Sequence, residues 1–451
     1  MAPDAASAHG TARGAATGNG QASPPGAADK PTRSLGLWLA AGLVGLVAAT
    51  SAVLFRRLID AVEWLASGHT GSLVATALAM PPWQRVLVPT LGGLLAGLVL
   101  QYGQHWAARG PAGTTNIDYL DAARAGSHRL NDRTTLTRAA SALLSVGTGA
   151  SIGREGPMVQ LAAWLSTWVA RVLPLGEAQR GGLLVCGIAA GIGAAYHAPI
   201  AGVVFVLELA LGFLTRHTAA PVLVASASAS ALIYWLVEPR PLYPMATWPL
   251  LPGSLALAVA VGVVAGGLGW ALLGGIERTR RRFERLTAPW LRLGLGGLLV
   301  GLVSVAVPQV WGNGYSVVSH LLSVDSPWQW VAMILLAKVF ATLLSAGSGA
   351  IGGVLTPSLL VGAGTGYLCG LAGDLLLPAT LGGPQAAAVT GMAAMLAAVT
   401  HAPLTAIVMV LEMTGQYQLT LPVMVACGLA HAVSAGFGTR PLYGNPIEGR
   451  P

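Results

Sequence analysis

Long runs of Leu, Val, Ala and Gly alternate along the chain with short polar breaks. Residues 35–55, 86–100, 182–214, 251–273, 293–307 and 421–437 are such runs. Several reach the roughly 20 residues that a helix needs to cross a bilayer. About ten to twelve stretches are apolar enough to enter a membrane, and some look too short to cross it. The pattern predicts an all-α integral membrane protein. Residues 1–33 are rich in Ala, Gly, Pro and Ser without apolar periodicity, and are expected to form a disordered leader. They lack the short apolar core and cleavage site of a secretory signal. After the membrane unit, residues 439–451 form a short tail, and no soluble regulatory domain is expected.

The membrane unit repeats itself. Residues 187–208 read GIAAGIGAAYHAPIAGVVFVLE and residues 391–412 read GMAAMLAAVTHAPLTAIVMVLE, with eleven of twenty-two positions identical at an offset of 204. Residues 147–157, GTGASIGREGP, match residues 347–357, GSGAIGGVLTP, at an offset of 200. Two matches at nearly one offset predict two homologous membrane repeats, 34–240 and 251–438. If the repeats are inverted, corresponding stretches lie on opposite faces. Arg56, Arg57, Asp60 and Glu63 sum to zero in the first half. Arg278, Arg280, Arg281, Arg282 and Arg285 against Glu277 and Glu284 sum to +3 in the second, which reads as a cytoplasmic loop.

Composition sharpens the membrane assignment. Hydrophobic residues make up 54% of the chain and charged residues 9%, where a soluble protein carries about 25% charged. The 60 glycines let helix backbones approach closely where no hydrophobic effect drives their packing. The net charge of +8 is not a nucleic-acid signal, because its densest cluster flanks an apolar run. Cys186, Cys369 and Cys427 lie in apolar segments with no disulfide or metal spacing. No metal, cofactor or catalytic group is implied: His-Glu-x-x-His is absent and no serine–lysine or paired-aspartate arrangement stands out.

The candidate chemistry is that of anion transport. Pro157, Pro199, Pro357 and Pro403 open apolar runs at symmetric positions, and each suits the first turn of a helix. Pro157 and Pro357 follow glycine-rich segments able to hold irregular backbone inside the membrane. A helix N-terminus there offers free N–H groups and about half a positive charge, which is an anion site. Gly153, Arg154 and Gly156 are the candidate donors. Such a site binds without a full charge, so a permeating anion can leave again. Glu155 sits at the mouth of one such helix. Its carboxylate competes with the permeating anion for the site, and protonation frees it, so Glu155 is a candidate pH-sensitive gate. The plainer alternative is that it caps the helix or pairs with Arg154.

The Gly-Arg-Glu-Gly-Pro segment at 153–157, the two His-Ala-Pro repeats each ending in Val-Leu-Glu, and Arg440-Pro441-Leu442-Tyr443 resemble the CLC family of chloride channels and proton–chloride exchangers. Trp311-Gly312-Asn313-Gly314-Tyr315-Ser316 is most similar to the short bacterial B-type branch. The resemblance covers roughly residues 35–445. It implies an inverted-repeat fold with broken and tilted helices, a homodimer with one anion path per subunit, and a bacterial inner-membrane location. It implies gating at Glu155, with a central chloride held by a first-half hydroxyl, the Tyr443 hydroxyl and the backbone N–H groups of Val354 and Leu355.

The chain departs from the family pattern in places. Gly113-Thr114-Thr115-Asn116-Ile117 stands where the family has Gly-Ser-Gly-Ile-Pro, so Thr114 is the expected hydroxyl donor and Thr115 an equally open choice. Val354-Leu355-Thr356-Pro357 replaces Ile-Phe-Ala-Pro, which keeps main-chain donors. Exchangers of the family carry an internal proton-handling glutamate where this chain has Leu209, which favours passive conduction. A proton-coupled exchanger using another route is the rival. Glu208 and Glu412 are expected to be structural, as are His197 and His401, for which symmetry predicts a shared hydrogen bond. Lys338, within an apolar run, must find a partner or line an aqueous vestibule.

Overall fold

Lipid offers the backbone no hydrogen-bonding partner, so a chain this apolar must satisfy its own peptide groups, and helices do so segment by segment. The computed structural model describes residues 31–109, 118–126, 129–211, 216–237, 240–248, 251–376, 382–438 and 440–444. The first half holds α1 (Pro31–Ser67), α2 (Leu73–Ala79), α3 (Pro82–Ala108), α4 (Tyr119–Arg124), α5 (Asp132–Gly147), α6 (Glu155–Val172), α7 (Glu177–Tyr196), α8 (Pro199–Phe205) and α9 (Arg216–Leu236). The second holds α10 (Ser254–Phe283), α11 (Pro289–Ala306), α12 (Tyr315–Ser323), α13 (Trp328–Gly347), α14 (Leu355–Leu376), α15 (Gly383–Thr400), α16 (Pro403–Thr414) and α17 (Thr420–Gly436). Eight helices among the described residues are long and apolar enough to cross a membrane. Others, such as α8 and α16, are too short to do so alone.

Packing repeats with the sequence. α6 lies on α7 as α14 lies on α15, and α1 lies on α9 as α10 lies on α17. α3 packs on its counterpart α11, and α8 on its counterpart α16, so these pairs straddle a pseudo-two-fold axis. The contact of α3 with α11 depends on missing side chains. A Cβ on Gly297 would lie 2.0 Å from the Pro89 carbonyl, and one on Gly93 would lie 2.2 Å from that of Leu293. Between apolar helices in lipid, such backbone approach supplies the dispersion contact that holds them.

The relation between the halves is inverted. Glu208, just beyond α8, accepts from the Leu404 and Thr405 N–H groups of α16 at 3.1 and 2.7 Å. Glu412, near the end of α16, accepts from the Ile200 and Ala201 N–H groups of α8 at 3.1 and 2.7 Å. Each helix thus ends beside the other's start, so equivalent helices run in opposite directions. The arginine cluster is not a loop. Arg278, Arg280, Arg281 and Arg282 ride the last turns of α10, where Arg281 pairs with Glu277 at 2.8 Å and Arg280 with Glu284 at 2.9 Å. α15 is buried along almost its whole length and is apolar all round, which places it at the centre of the second half.

Candidate functional site

Two helices start at the axis with the same grammar. α6 opens Glu155-Gly156-Pro157 and α14 opens Leu355-Thr356-Pro357. Proline stands third in each, where its missing N–H has no helical acceptor to miss. The segments before them meet in a reciprocal pair of backbone bonds, Gly153 N–H to the Gly353 carbonyl at 2.7 Å and Gly353 N–H to the Gly153 carbonyl at 2.8 Å. The first-turn N–H groups of both helices, left without intrahelical acceptors, therefore lie close to one point. Glycine at 153 leaves the carboxylate its place, since a Cβ would come within 2.2 Å of Glu155 Oε2 and 3.0 Å of the Gly353 carbonyl and could enter only by moving the acid.

Glu155 is 6% exposed. Its Oε1 accepts a 2.7 Å bond from Asn313 Nδ2, not from Arg154. Its Oε2 is buried without a hydrogen-bond partner, as are the hydroxyls of Tyr196, Tyr243 and Thr356. Tyr196 and Tyr243 lie within electrostatic reach of the carboxylate, as do Arg56 and Tyr443. Among the described residues the acid is thus held by one bond.

Two cavities are lined by the residues on either side of this acid in the chain. One of about 400 Å³ is lined by Arg56, Asp60, Glu63, Arg154, Asn313 and Tyr315, among others. The other, of about 200 Å³, is lined by Gly156, Pro157, Gly353, Val354, Tyr119 and Tyr443, among others. Arg154 faces the first and Gly156 the second, and the residue between them is Glu155. Glu155 thus follows a residue lining one cavity and precedes a residue lining the other, and its bond to Asn313 ties it to the wall of the first.

The other expected residues divide into those near the two cavities and those away from them. Tyr443 and Val354 line the smaller cavity. Leu355 is buried as the first residue of α14. The Tyr443 ring meets Phe205 edge-on at 5.6 Å, and its hydroxyl lies against that of Tyr119. Leu209 is buried in the π-helical turn Val206–Leu211 that continues α8. Thr114 and Thr115 lie outside the described residues. Glu208 and Glu412 stand away from the cavities at the crossed helix starts. His197 and His401 share a left-handed backbone, φ 55° and 56°, that turns the chain into α8 and α16. His197 Nδ1 meets the Arg240 carbonyl and His401 Nε2 meets Ser434 Oγ, each at 3.4 Å. What the repeat preserves is the turn. No group of three or more metal-ligating side chains occurs among the described residues.

Lys338 does not line a vestibule. It is fully buried, and Nζ donates to the Val310 and Gly312 carbonyls at 3.0 and 2.6 Å. It staples the loop that carries Asn313. Two functional residues went unread in the sequence. Asn313 was visible only as part of a family-like motif, although a polar residue between two glycines in an apolar setting is itself a signal. Arg124 gave none. It donates to the Leu209 carbonyl at 2.9 Å, to Tyr443 at 2.7 Å and to Gly444 at 3.3 Å, and so fastens the Tyr443 segment to the end of α8.

The chain is similar to known proteins. Residues 92–435 match the family model described as voltage gated chloride channel. A putative chloride channel protein of Ralstonia nicotianae, ClcB-like, is 46% identical over 413 residues, which cover 90% of this chain and 95% of that one. The voltage-gated ClC-type chloride channel ClcB of Escherichia coli is 39% identical over 412 residues, covering 90% and 97%. Among solved structures, a slow cyanobacterial Cl⁻/H⁺ antiporter superposes with a TM-score of 0.79 at 24% identity over 90% of this chain and 96% of that one. A CLC-type fluoride/proton antiporter superposes with a TM-score of 0.74 at 23% identity, covering 91% and 98%. At those identities the two structures speak to the fold alone.

Proposed function

This chain belongs to the voltage-gated chloride channel family, and from its membership we propose that it conducts chloride passively through a path gated by Glu155. The observation that carries the proposal is the position of that residue, between Arg154 on one cavity and Gly156 on the other. A deprotonated carboxylate occupies the space at the two helix starts that an anion needs. Protonation removes the charge and allows the side chain to leave. The anion then meets neutral donors: the N–H groups of Val354 and Leu355, the Tyr443 hydroxyl and, in this proposal, the hydroxyl of Thr114. Gly153, Arg154 and Gly156 contribute first-turn backbone on the other side. Leu209 carries no proton, which supports conduction without coupling.

The wider assignment follows the same premise. The repeats are taken as 34–240 and 251–438, and the basic end of α10 as cytoplasmic. The Tyr443 cavity then faces the cytoplasm of a bacterial cell and the Arg56 cavity the outside of its inner membrane. A homodimer is proposed because α8 and α16, both short, expose Ile200 and Leu404, and Glu208 and Glu412 are only half-buried there. Carboxylates on a lipid-facing surface are costly, and a second copy covers them.

A proton-coupled chloride antiporter is the second reading. What favours it is the pair of buried tyrosines, Tyr196 and Tyr243, within electrostatic reach of Glu155 and able to carry a proton where Leu209 cannot. The test of the gate is Glu155→Gln, which imitates the protonated acid. In proteoliposomes, chloride efflux through the wild type is expected to rise as pH falls, and efflux through the variant to be open at every pH. A variant with the wild-type pH response would remove Glu155 from the gating role.

A further inference from the structure

Among the described residues the Glu155 carboxylate has one hydrogen-bond donor, the Asn313 amide at 2.7 Å, while Oε2 has none. That donor is rigidly aimed. Asn313 Oδ1 accepts from the Tyr315 N–H at 3.1 Å at the start of α12, which fixes which end of the amide faces the acid. Gly312 and Gly314 on either side adopt φ of +67° and +91°, a backbone open to glycine and strained for other residues. Trp311 before them is buried, and Lys338 ties the loop from beneath through the Val310 and Gly312 carbonyls. Asn313 also faces the larger cavity, so water reaches the bond from that side.

We infer that Asn313 is the latch of the gate: its amide holds the Glu155 carboxylate in the closed position, and this bond sets the pH at which the path opens. The inference rests on the reading of Glu155 as the gate. A donor to a carboxylate stabilises the charged form and lowers the pH needed to protonate it. Removing the donor therefore moves opening to higher pH. A hydrogen bond to an ionised acceptor corresponds to a shift of roughly one to two pH units. The other ionisable groups around Glu155 are Arg56 on α1, its neighbour Arg154, Tyr196 on α7, Tyr243 and Tyr443, with Asp60 and Glu63 across the cavity. Asn313→Asp keeps the acceptor for the Tyr315 N–H, and with it the ring that stacks on Tyr243 at 5.1 Å, so a shift in that variant reports the lost amide. Asn313 and Lys338 are positioning residues, since they act through Glu155.

The experiment measures chloride efflux from proteoliposomes across a pH series for the wild type, Asn313→Leu, Asn313→Asp, Glu155→Gln and Glu155→Gln with Asn313→Asp. Leucine removes both bonds of the amide. Aspartate keeps an acceptor for the Tyr315 N–H while replacing the donor with a like charge, so it tests the latch even if the leucine variant fails to fold. The midpoint of activation is expected to rise by about one pH unit or more in each single 313 variant. The double variant is expected to match Glu155→Gln and to show no pH dependence. An unchanged midpoint in Asn313→Asp, beside a pH-independent Glu155→Gln, would overturn the latch and leave the gate standing. Residual pH dependence in the double variant would overturn it too, by placing the action of Asn313 elsewhere. A wild-type pH response in Glu155→Gln alone would instead sink the gate on which the latch depends.

Discussion

Gly153 and Glu155 are separated by one residue, yet their atoms compete for the same space. The carboxylate oxygen lies where a Cβ on residue 153 would stand, at 2.2 Å. Gly153→Ala is therefore expected to displace the acid from its closed position and to strain the backbone bridge to Gly353. The predicted outcome is chloride efflux that no longer falls as pH rises. Overpacking of this kind costs about 1–3 kcal/mol, visible as a lower melting temperature in detergent. Efflux with the wild-type pH profile would mean that the carboxylate closes the path from some other position. The acid itself was legible in the sequence, because a lone glutamate between two glycines before a proline reads as the mouth of a helix. Its bonded partner was not. Asn313 lies 158 residues away, and nothing in local spacing joins the two. Lys338 shows the same limit: apolar neighbours predict that it needs a partner, but which carbonyls serve depends on a loop from another element.

At the scale of elements, the crossed capping of α8 and α16 explains why two short helices survive next to a lipid phase. Their prolines remove one N–H each, and the next two are taken by a carboxylate from the opposite repeat. Loss of a helix cap typically costs about 0.5–2 kcal/mol. Glu208→Gln and Glu412→Gln are both expected to lower thermal stability in detergent by amounts in that range. Glu208 should cost more, because its Oε2 also accepts from the Thr405 hydroxyl at 2.7 Å, whereas the matching residue at the Glu412 cap, Ala201, carries no hydroxyl. Equal and negligible losses would show that the caps are replaced by water. The positions of these helix starts were readable from Pro199 and Pro403, and the internal offset predicted equivalent elements. The exchange of caps between repeats was not readable, since sequence symmetry does not state which half each glutamate serves. The left-handed His197 and His401 were likewise hidden, because that backbone is uncommon outside glycine, although histidine is among the residues enriched there.

For the whole molecule, inversion turns one sequence pattern into two faces and one shared centre. The N-termini of α6 and α14 meet there, a cavity opens on each side, and the outer edge carries the short helices. That edge is the surface expected to meet a second copy. In a Cys369→Ser background, Leu404→Cys or Ile200→Cys is predicted to cross-link between subunits in oxidised membranes, since Cys186 and Cys427 are buried. Absence of a cross-link from both sites, with a monomeric mass in detergent, would place the interface elsewhere or remove it. Family membership and the inverted fold were legible from motifs and offsets spread over most of the chain. Proton coupling was legible only as a missing carboxylate at Leu209, and Tyr196 and Tyr243 come within electrostatic reach of Glu155 only through the fold. The most direct test of passive chloride conduction is a proteoliposome assay that records chloride efflux and external pH together, under an outward chloride gradient. The account predicts rapid chloride efflux, faster at low pH, with no uphill movement of protons into the vesicles. Proton uptake against its gradient, driven by chloride leaving, would contradict it.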